Sequence, residues 1–198
     1  MDGPPRRAVA ALAYKTHGEP SEVLSQEDYD LPTEIGPEDV KIKMLASPIN
    51  PADLNTVEGK YPLLPQSLPA VGGHEGVGEI ISIGAKVSDL TVGDWVVPLE
   101  SGLGTWREAG VFKRTAWHKV PRDLPLESAA TMSINPPTAL CLLEKFAKLH
   151  KGDVIVQNGA NSTVGQCAVG GDTTCQGNGR EDYEYCPEKA TRRRPAGH

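Results

Sequence analysis

The sequence predicts a mixed α/β protein in which a turn-rich partial β-barrel is followed by the start of a parallel α/β domain. Seventeen prolines and 21 glycines in 198 residues separate many short apolar stretches, a pattern typical of a small β domain. From Pro125 onward the apolar residues recur at helical spacing. A short apolar run at residues 154–157 then precedes a glycine-containing turn, as in the first βα turn of a parallel sheet.

Composition excludes several classes of function. A net charge of −6 argues against a dedicated nucleic-acid binder. No apolar run reaches the length needed to span a bilayer. Four cysteines at irregular spacing do not suggest a disulfide framework, so a reducing compartment is expected. The N-terminal stretch before the first strand is too short and too little amphipathic for a clear mitochondrial presequence.

The strands of the β domain follow from alternation and from turn residues. Glycines within residues 72–84 indicate bulges or close backbone approach inside a strand. Residues 101–106 are interpreted as a hairpin connection anchored by Trp106, which could also shape a channel for a ligand. The acidic residues 21–37 are expected to form a strand, a loop and a turn. The remaining strands are predicted at residues 7–14, 40–45, 95–98, 111–112 and 117–120.

The central stretch, residues 47–76, contains the candidate catalytic group. Pro51 restricts Asn50 to an extended conformation. Asp53 and Asn55 suit a short polar turn. A second turn at residues 59–62 presents the phenol of Tyr61. Composition alone favours an ordinary half-buried tyrosine with its hydroxyl at the surface.

A metal site is not expected around His74. A catalytic zinc site uses three protein ligands, usually including cysteine thiolates, and no cysteine occurs before Cys141. His74 is therefore interpreted as a barrel histidine packed beside a glycine cluster.

The second part of the chain begins with helices. A short helix is predicted at residues 126–132, and Asn135 is predicted to cap the next helix, with Pro136 and Pro137 in its first turn. Cys141 is expected to be a buried filler residue that packs in the core, and not a nucleophile. One apolar face of this helix is expected to pack, and it contains Ala139, Leu140, Leu143, Phe146 and Ala147.

The stretches INPADLN, GKYPLLP, LPAVGGHEGVGEI and GLGTW, in this order, resemble the medium-chain dehydrogenase/reductase superfamily and within it the mitochondrial trans-2-enoyl-thioester reductases. The resemblance implies a GroES-like catalytic domain followed by a Rossmann domain. It implies NADPH-dependent reduction of enoyl-CoA or enoyl-acyl-carrier-protein in mitochondrial fatty-acid synthesis. Tyr61 falls on the position of the catalytic tyrosine, which stabilises the enolate or supplies a proton to the α-carbon.

The resemblance also assigns cofactor-binding residues. It implies that Asn135 contacts NADPH, although a plain helix cap explains this residue equally well. The turn at residues 158–165 is similar to the family's phosphate turn, with backbone amides that hold the pyrophosphate. Asn50 stands where zinc dehydrogenases of the superfamily have their first cysteine, so no metal is expected. The proposed phosphate-binding residues are Asn161, Ser162, Thr163 and Val164.

Three regions follow: a catalytic domain at residues 1–134, a connecting helix and first βα turn of an incomplete Rossmann domain at 135–166, and a disordered, non-homologous tail at 167–198. Back-translation of residues 175–190, read one nucleotide later, permits AKAMGVKTMNIVRKRP, which resembles the family's continuation. We therefore hypothesise an out-of-frame tail.

The chain as written is expected to be an inactive, truncated reductase that does not dimerise normally, although the family implies a homodimer. The resemblance implies mitochondria, and the cytosol stays open as an alternative.

Two other functions stay open. One is a related zinc-free quinone or alkenal oxidoreductase. The other is a non-catalytic fragment that binds acyl chains or a partner protein. Tyr61 within GKYPLLP and the GLGTW loop favour the enoyl reductase.

Overall fold

The computed structural model describes residues 7–146, 148–149 and 155–174. The chain divides after Ser133 into two compact units, Met1–Ser133 and Ile134–His198. Within the described ranges, no helix combines the length and apolar character that crossing a bilayer requires. The elements in chain order are β1 (Arg7–Tyr14), α1 (Pro20–Val23), β2 (Leu24–Leu31), β3 (Asp39–Ala46), α2 (Pro51–Val57), β4 (Ala70–Val71), β5 (Val77–Ile83), β6 (Trp95–Pro98), β7 (Ala109–Lys113), β8 (Trp117–Val120), α3 (Leu126–Ala130), α4 (Asn135–Glu144) and α5 (Thr163–Thr174).

The first unit contains two antiparallel sheets. One has the strand order β2-β1-β4, and the other has the order β7-β3-β5-β6-β8. β1 and β2 pair along their whole length, from Arg7 opposite Leu31 to Tyr14 opposite Leu24. The predicted strands at 7–14, 40–45, 95–98, 111–112 and 117–120 are confirmed. A four-residue helix, α1, lies in the acidic stretch where only strand, loop and turn were predicted.

The segment at residues 105–108 joins the two sheets. The Leu12 N–H donates to the Trp106 carbonyl at 2.8 Å, and the Glu108 N–H donates to the Ala10 carbonyl at 2.9 Å. On its other side, the Glu108 carbonyl accepts the Met44 N–H at 2.9 Å. One extended stretch therefore bonds to β1 and β3 together and turns the two sheets into a partial barrel.

The prediction of a hairpin at residues 101–106 is wrong. A hairpin joins strands that are neighbours in a sheet, but β3 and β5 lie between β6 and β7 in the strand order. The loop is instead a crossover connection. Gly102 and Gly104, with φ of 81° and 70°, allow its tight turns.

One buried cluster of the first unit is built on the five-stranded sheet, from residues of β3, β5, β6 and β8. Val40 and Ile42 alternate with more accessible residues along β3 and are fully buried. Trp117 is also fully buried and meets the Phe112 ring edge-on, with centroids 4.9 Å apart. A second cluster joins β5, β6 and β8 to α3 through Val77, Val97, Val120, Ala129 and Ala130.

The predicted bulges and close approaches in the glycine-rich strand are confirmed. The β3–β5 pairing shifts register between Lys41 and Ile42 and again between Met44 and Ala46. A Cβ on Gly78 would overlap Ile42 Cγ2 and lie 3.0 Å from the Lys43 carbonyl oxygen. Only glycine allows β5 to approach β3 this closely.

The predicted turn at Asp53 and Asn55 is wrong, because these residues belong to helix α2. Pro51 stands at the first helical position, where a missing N–H removes no intrahelical bond. The Asp53 carboxylate accepts the Asn50 N–H at 2.6 Å, as in a capping box. The spacing of Asn50 and Asp53 is the signal that could have predicted this helix.

The second unit differs from several predictions. Residues 155–157 do not form the predicted strand, and the side chains of Ile155 and Val156 are 54% and 91% exposed. A strand requires a hydrogen-bonded neighbour, and the described residues of this unit supply none. Asn135 is the first residue of α4 and does not cap it, since Ile134 occupies the cap position. Helix ends commonly differ by one residue in this way.

Helix α4 buries less of its predicted face than expected. Ala139 is buried, but Leu140 and Phe146 are 48% and 79% exposed. Cys141 is exposed, so the prediction that it is buried filler is wrong. Among the described residues of this unit, α5 alone packs against α4, and one neighbouring helix covers only one side of another. Ala147 lies outside the described residues.

The predicted disorder from residue 167 does not hold for residues 167–174, which continue α5. The helix begins at a capping serine, because Ser162 Oγ accepts the Gly165 N–H at 3.1 Å. The remaining tail, residues 175–198, lies outside the described residues, as does the stretch to which the out-of-frame hypothesis applies.

Candidate active site

The central stretch is held in place from the crossover loop. Ser47 Oγ donates to the Thr105 carbonyl at 2.9 Å, and Trp106 Nε1 donates to the Pro48 carbonyl at 3.0 Å. The Thr105 hydroxyl donates to the Glu75 carbonyl at 2.7 Å. The two ends of the candidate site are thus tied to the same loop, which fixes their separation.

Asn50 is extended, as predicted, with φ −102° and ψ 156°. Its amide Nδ2 donates to Glu75 Oε1 at 2.7 Å. Glu75 is fully buried. Asn50 and Glu75 also take part in further interactions. The sequence prediction did not identify this pair, which links the start of α2 to the segment just before β5.

Asp53 joins α2 to the segment that contains His74. Its Oδ2 accepts the Asn50 N–H at 2.6 Å, and its Oδ1 accepts the His74 N–H at 2.8 Å. Only 1% of the residue is exposed. Burial raises the pKa of the Asp53 carboxyl, although the two backbone N–H groups and the His74 ring oppose that rise.

His74 is buried, as predicted, beside a glycine cluster. Its Nε2 lies 2.8 Å from Thr56 Oγ1 and 4.0 Å from Asp53 Oδ1. A Cβ on Gly73, which precedes it with φ 97°, would lie 2.9 Å from the Trp106 nitrogen. No group of three or more His, Cys, Asp or Glu side chains in the described ranges is placed to hold a metal. The expectation of a metal-free site stays a prediction.

Tyr61 lies beside this network. Its N–H donates to the Asn55 carbonyl at 3.1 Å, and Gly59, with φ 77°, forms the turn before it. The Tyr61 ring contacts the His74 ring edge-on, with centroids 5.6 Å apart. The residue is half-buried. The structure therefore brings Tyr61, His74 and Asp53 together in the first unit.

An open groove lies on the first unit, next to the crossover loop. Its volume is about 520 Å³, and its walls are mostly apolar. Thr105 and Trp106 line it, so the crossover loop does shape a groove. Its apolar lining residues include Leu12, Met44, Ile49 and Leu54.

The predicted cofactor residues lie in the second unit. Ser162 uses its hydroxyl to cap α5, so the N–H groups of Thr163 and Val164 stand at a helix start without intrahelical acceptors. Asn161 is exposed, and its carbonyl accepts Gln166 Nε2 at 3.0 Å. Asn135 begins α4 and is 8% exposed.

Comparison with known proteins shows what this chain is similar to. Residues 36–122 match the alcohol dehydrogenase GroES-like domain. The rat mitochondrial enoyl-[acyl-carrier-protein] reductase is 50% identical over 161 residues, which are 81% of this chain and 43% of the rat protein. The chain is similar to the enoyl-[acyl-carrier-protein] reductases. It spans less than half the length of the relatives it matches.

Solved structures share the fold of this chain. The Etr1p/NADP/crotonyl-CoA complex superposes with a TM-score of 0.79 at 34% identity, covering 82% of this chain and 50% of that one. The Escherichia coli quinone oxidoreductase complexed with NADPH superposes with a TM-score of 0.72 at 26% identity, covering 83% and 49%. The predicted GroES-like domain and the resemblance to enoyl-thioester reductases are thereby confirmed.

Proposed function

We propose that this chain contains the catalytic part of an NADPH-dependent reductase of trans-2-enoyl thioesters, carried on CoA or on acyl carrier protein, in mitochondrial fatty-acid synthesis. The observation that carries the proposal is the 50% identity to the rat enoyl-[acyl-carrier-protein] reductase across 161 residues. An Etr1p structure with NADP and crotonyl-CoA supports the same substrate class and cofactor.

Tyr61 is the proposed catalytic group. When bound, NADPH supplies a hydride to the β-carbon of the enoyl thioester. Negative charge then develops on the thioester oxygen, and the Tyr61 hydroxyl stabilises it by hydrogen bonding or delivers a proton to the α-carbon. Tyr61 is half-buried, and its ring rests against His74.

The start of α5 fits the pyrophosphate of a dinucleotide. A Cβ on Gly165 would lie 2.6 Å from the Gly159 carbonyl oxygen, so the turn closes tightly on the helix. The N–H groups of Thr163 and Val164 belong to the first turn of α5, where a helix N-terminus favours an anion. We assign Asn161 and Ser162 to the same turn, with Ser162 acting through its helix cap. Asn135 is assigned to the cofactor by family resemblance alone.

Tyr61→Phe tests the proposal. The assay uses this chain and a fusion in which the region after Gln166 is taken from the rat reductase. In the fusion, turnover of crotonyl-CoA should fall about a hundredfold or more, because one donor to a developing oxyanion is lost. NADPH binding should change little. Assay of the chain alone tests the expectation that it is inactive by itself.

Tyr29→Phe is the matched control, since Tyr29 is also half-buried but lies on β2. It should leave turnover within a few-fold of the starting enzyme. Unchanged turnover in the Tyr61→Phe fusion would contradict the proposed role of Tyr61.

A quinone oxidoreductase is the second candidate, because the Escherichia coli enzyme shares the fold at 26% identity. The two functions differ in the electrophile that accepts hydride. Comparing kcat/KM for crotonyl-CoA and for a soluble quinone in the same fusion separates them. A clear preference for the quinone, with no effect of Tyr61→Phe, would favour the second candidate.

Compartment and assembly follow from the relatives. The rat, human and Arabidopsis proteins are named as mitochondrial, so we propose mitochondria for this protein. A solved Etr1p/Etr2p heterodimer from Candida tropicalis supports a dimer for the whole enzyme, whereas the chain as written is expected not to dimerise normally. Subcellular fractionation and light scattering of the purified protein test these two proposals.

A further inference from the structure

Tyr61 lies in a loop with few restraints of its own. Its backbone N–H is tied to α2 through the Asn55 carbonyl at 3.1 Å. The neighbouring Leu63 and Leu64 are 59% and 46% exposed, so they do not anchor the loop. The Tyr61 ring meets the His74 ring at an interplanar angle of 63°, with centroids 5.6 Å apart. The orientation of the phenol therefore depends on where the His74 ring lies.

The His74 ring is itself fixed. Its side chain is 4% exposed, and its backbone N–H donates to Asp53 Oδ1 at 2.8 Å. Thr56 donates its single hydroxyl proton to the Ala52 carbonyl at 2.8 Å. At the 2.8 Å contact between His74 Nε2 and Thr56 Oγ1, the ring must then be the donor. The hydrogen-bond network thus places a ring proton on Nε2.

The backbone on either side of His74 is equally constrained. Gly73 has φ 97°, a conformation that side chains other than glycine's rarely adopt. The Gly73 carbonyl accepts N–H groups from Gly104 and Thr105 at 3.1 and 3.2 Å. On the other side, the Glu75 carbonyl accepts the Thr105 hydroxyl at 2.7 Å. The backbone that carries the His74 ring is consequently held in place by these bonds while the ring contacts Tyr61.

We propose that His74 is a positioning residue, whose buried ring sets the orientation of the Tyr61 phenol toward the substrate. The inference rests on the proposed reductase function, because His74 acts only through Tyr61. A shift of about 1 Å in a reacting group can cost on the order of a hundredfold in rate. Loss of the ring contact is therefore expected to lower kcat and to leave the binding of NADPH nearly unchanged.

Two substitutions separate the ring contact of His74 with Tyr61 from its hydrogen bond to Thr56. His74→Phe keeps a ring against Tyr61 and removes the donor to Thr56. His74→Gln keeps an amide donor for Thr56 and removes the ring. In the fusion with the rat reductase, kcat should stay within a few-fold in the Phe variant and fall about tenfold to a hundredfold in the Gln variant. His118→Gln, at an exposed position on β8, is the matched control.

A measurement independent of activity tests the ring contact in the chain itself. NMR of tyrosine-labelled protein reports the ring protons of Tyr61, assigned by comparison with Tyr61→Phe. These shifts should change strongly in His74→Gln and little in His118→Gln. Unchanged Tyr61 shifts in His74→Gln would overturn the inference. His74→Leu, which is apolar and similar in size, replaces the Gln variant if the amide prevents folding.

A double-mutant cycle separates this inference from the proposed function. In a Tyr61→Phe background, His74→Gln should cause no further loss of kcat, because the hydroxyl that it positions is gone. Additive losses would show a general structural role and overturn the inference. If Tyr61→Phe alone leaves turnover unchanged, the proposed role of Tyr61 fails instead, whatever His74 does.

Discussion

At the scale of single residues, Asp53 is the group that connects the elements of the site. One carboxylate oxygen accepts a backbone N–H from the start of α2, and the other accepts the N–H of His74. A carboxylate can satisfy two such donors because it has two acceptor oxygens. The cost is the removal of a charged group from water, since only 1% of Asp53 is exposed.

That cost predicts a pH dependence of stability. Burial raises the folded-state pKa of Asp53 above its unfolded value, so the folded state binds more protons in the interval between them. The contribution of Asp53 to the free energy of unfolding should fall as pH rises from about 4 through the raised pKa. Urea unfolding of the original protein and of Asp53→Asn, from pH 4 to 7, measures this contribution.

The stability difference between the original protein and Asp53→Asn should therefore be largest near pH 4 and shrink toward neutral pH. Asp123→Asn, at an exposed position, is the control and should show no such trend. A difference that grows with pH would mean that hydrogen bonding outweighs burial in setting the pKa of Asp53.

At the scale of elements, the close approach of β5 to β3 positions the site. β5 follows directly after the segment that contains His74 and Glu75, and β3 leads directly into the segment that contains Asn50. Their pairing contains two register shifts, and it depends on glycine at position 78. The separation of the two halves of the site is thus set by a strand pair whose packing tolerates no added methyl group.

Gly78→Ala tests this packing. The new Cβ would overlap Ile42 Cγ2 and press on the Lys43 carbonyl, so the free energy of unfolding should fall by about 1–3 kcal/mol. Gly102→Asn is the control, because a Cβ there meets no atom within 4 Å and asparagine tolerates a positive φ. Equal unfolding midpoints for Gly78→Ala and the original protein in urea would show that the strands separate without strain.

At the scale of the whole molecule, the first unit contains a complete set of elements for independent folding. Both sheets and the buried clusters lie within Met1–Ser133. The segment at residues 105–108 bonds to both sheets, so the two sheets are joined by residues of the first unit.

Residues 1–133 expressed alone should therefore fold cooperatively. The expected observations are a β-type circular dichroism spectrum and a single urea transition shared by circular dichroism and tryptophan fluorescence. Ile42→Ala, which removes a fully buried side chain, should lower the unfolding free energy of this fragment by about 2–5 kcal/mol. Broad transitions that differ between the two probes would show that folding needs the rest of the chain.

The sequence by itself determined most strands of the first unit, the extended Asn50 and the resemblance to enoyl-thioester reductases. Strand positions could be predicted because alternation along residues 40–45 and the turn residues around them are local properties. This resemblance could be found because its motifs are contiguous stretches in a given order. The placement of Tyr61 in a turn follows from the local residues in the same way.

Tertiary structure alone decided what Tyr61 and the strands contact. The crossover of residues 101–106 depends on strand order, which is not encoded in the loop itself. Tyr61 contacts His74, which is 13 positions away in the chain. Both residues also bond to helix α2, whose residues were predicted to form a turn. The run at residues 155–157 has the apolar character of a strand, but a strand exists only when another strand bonds to it.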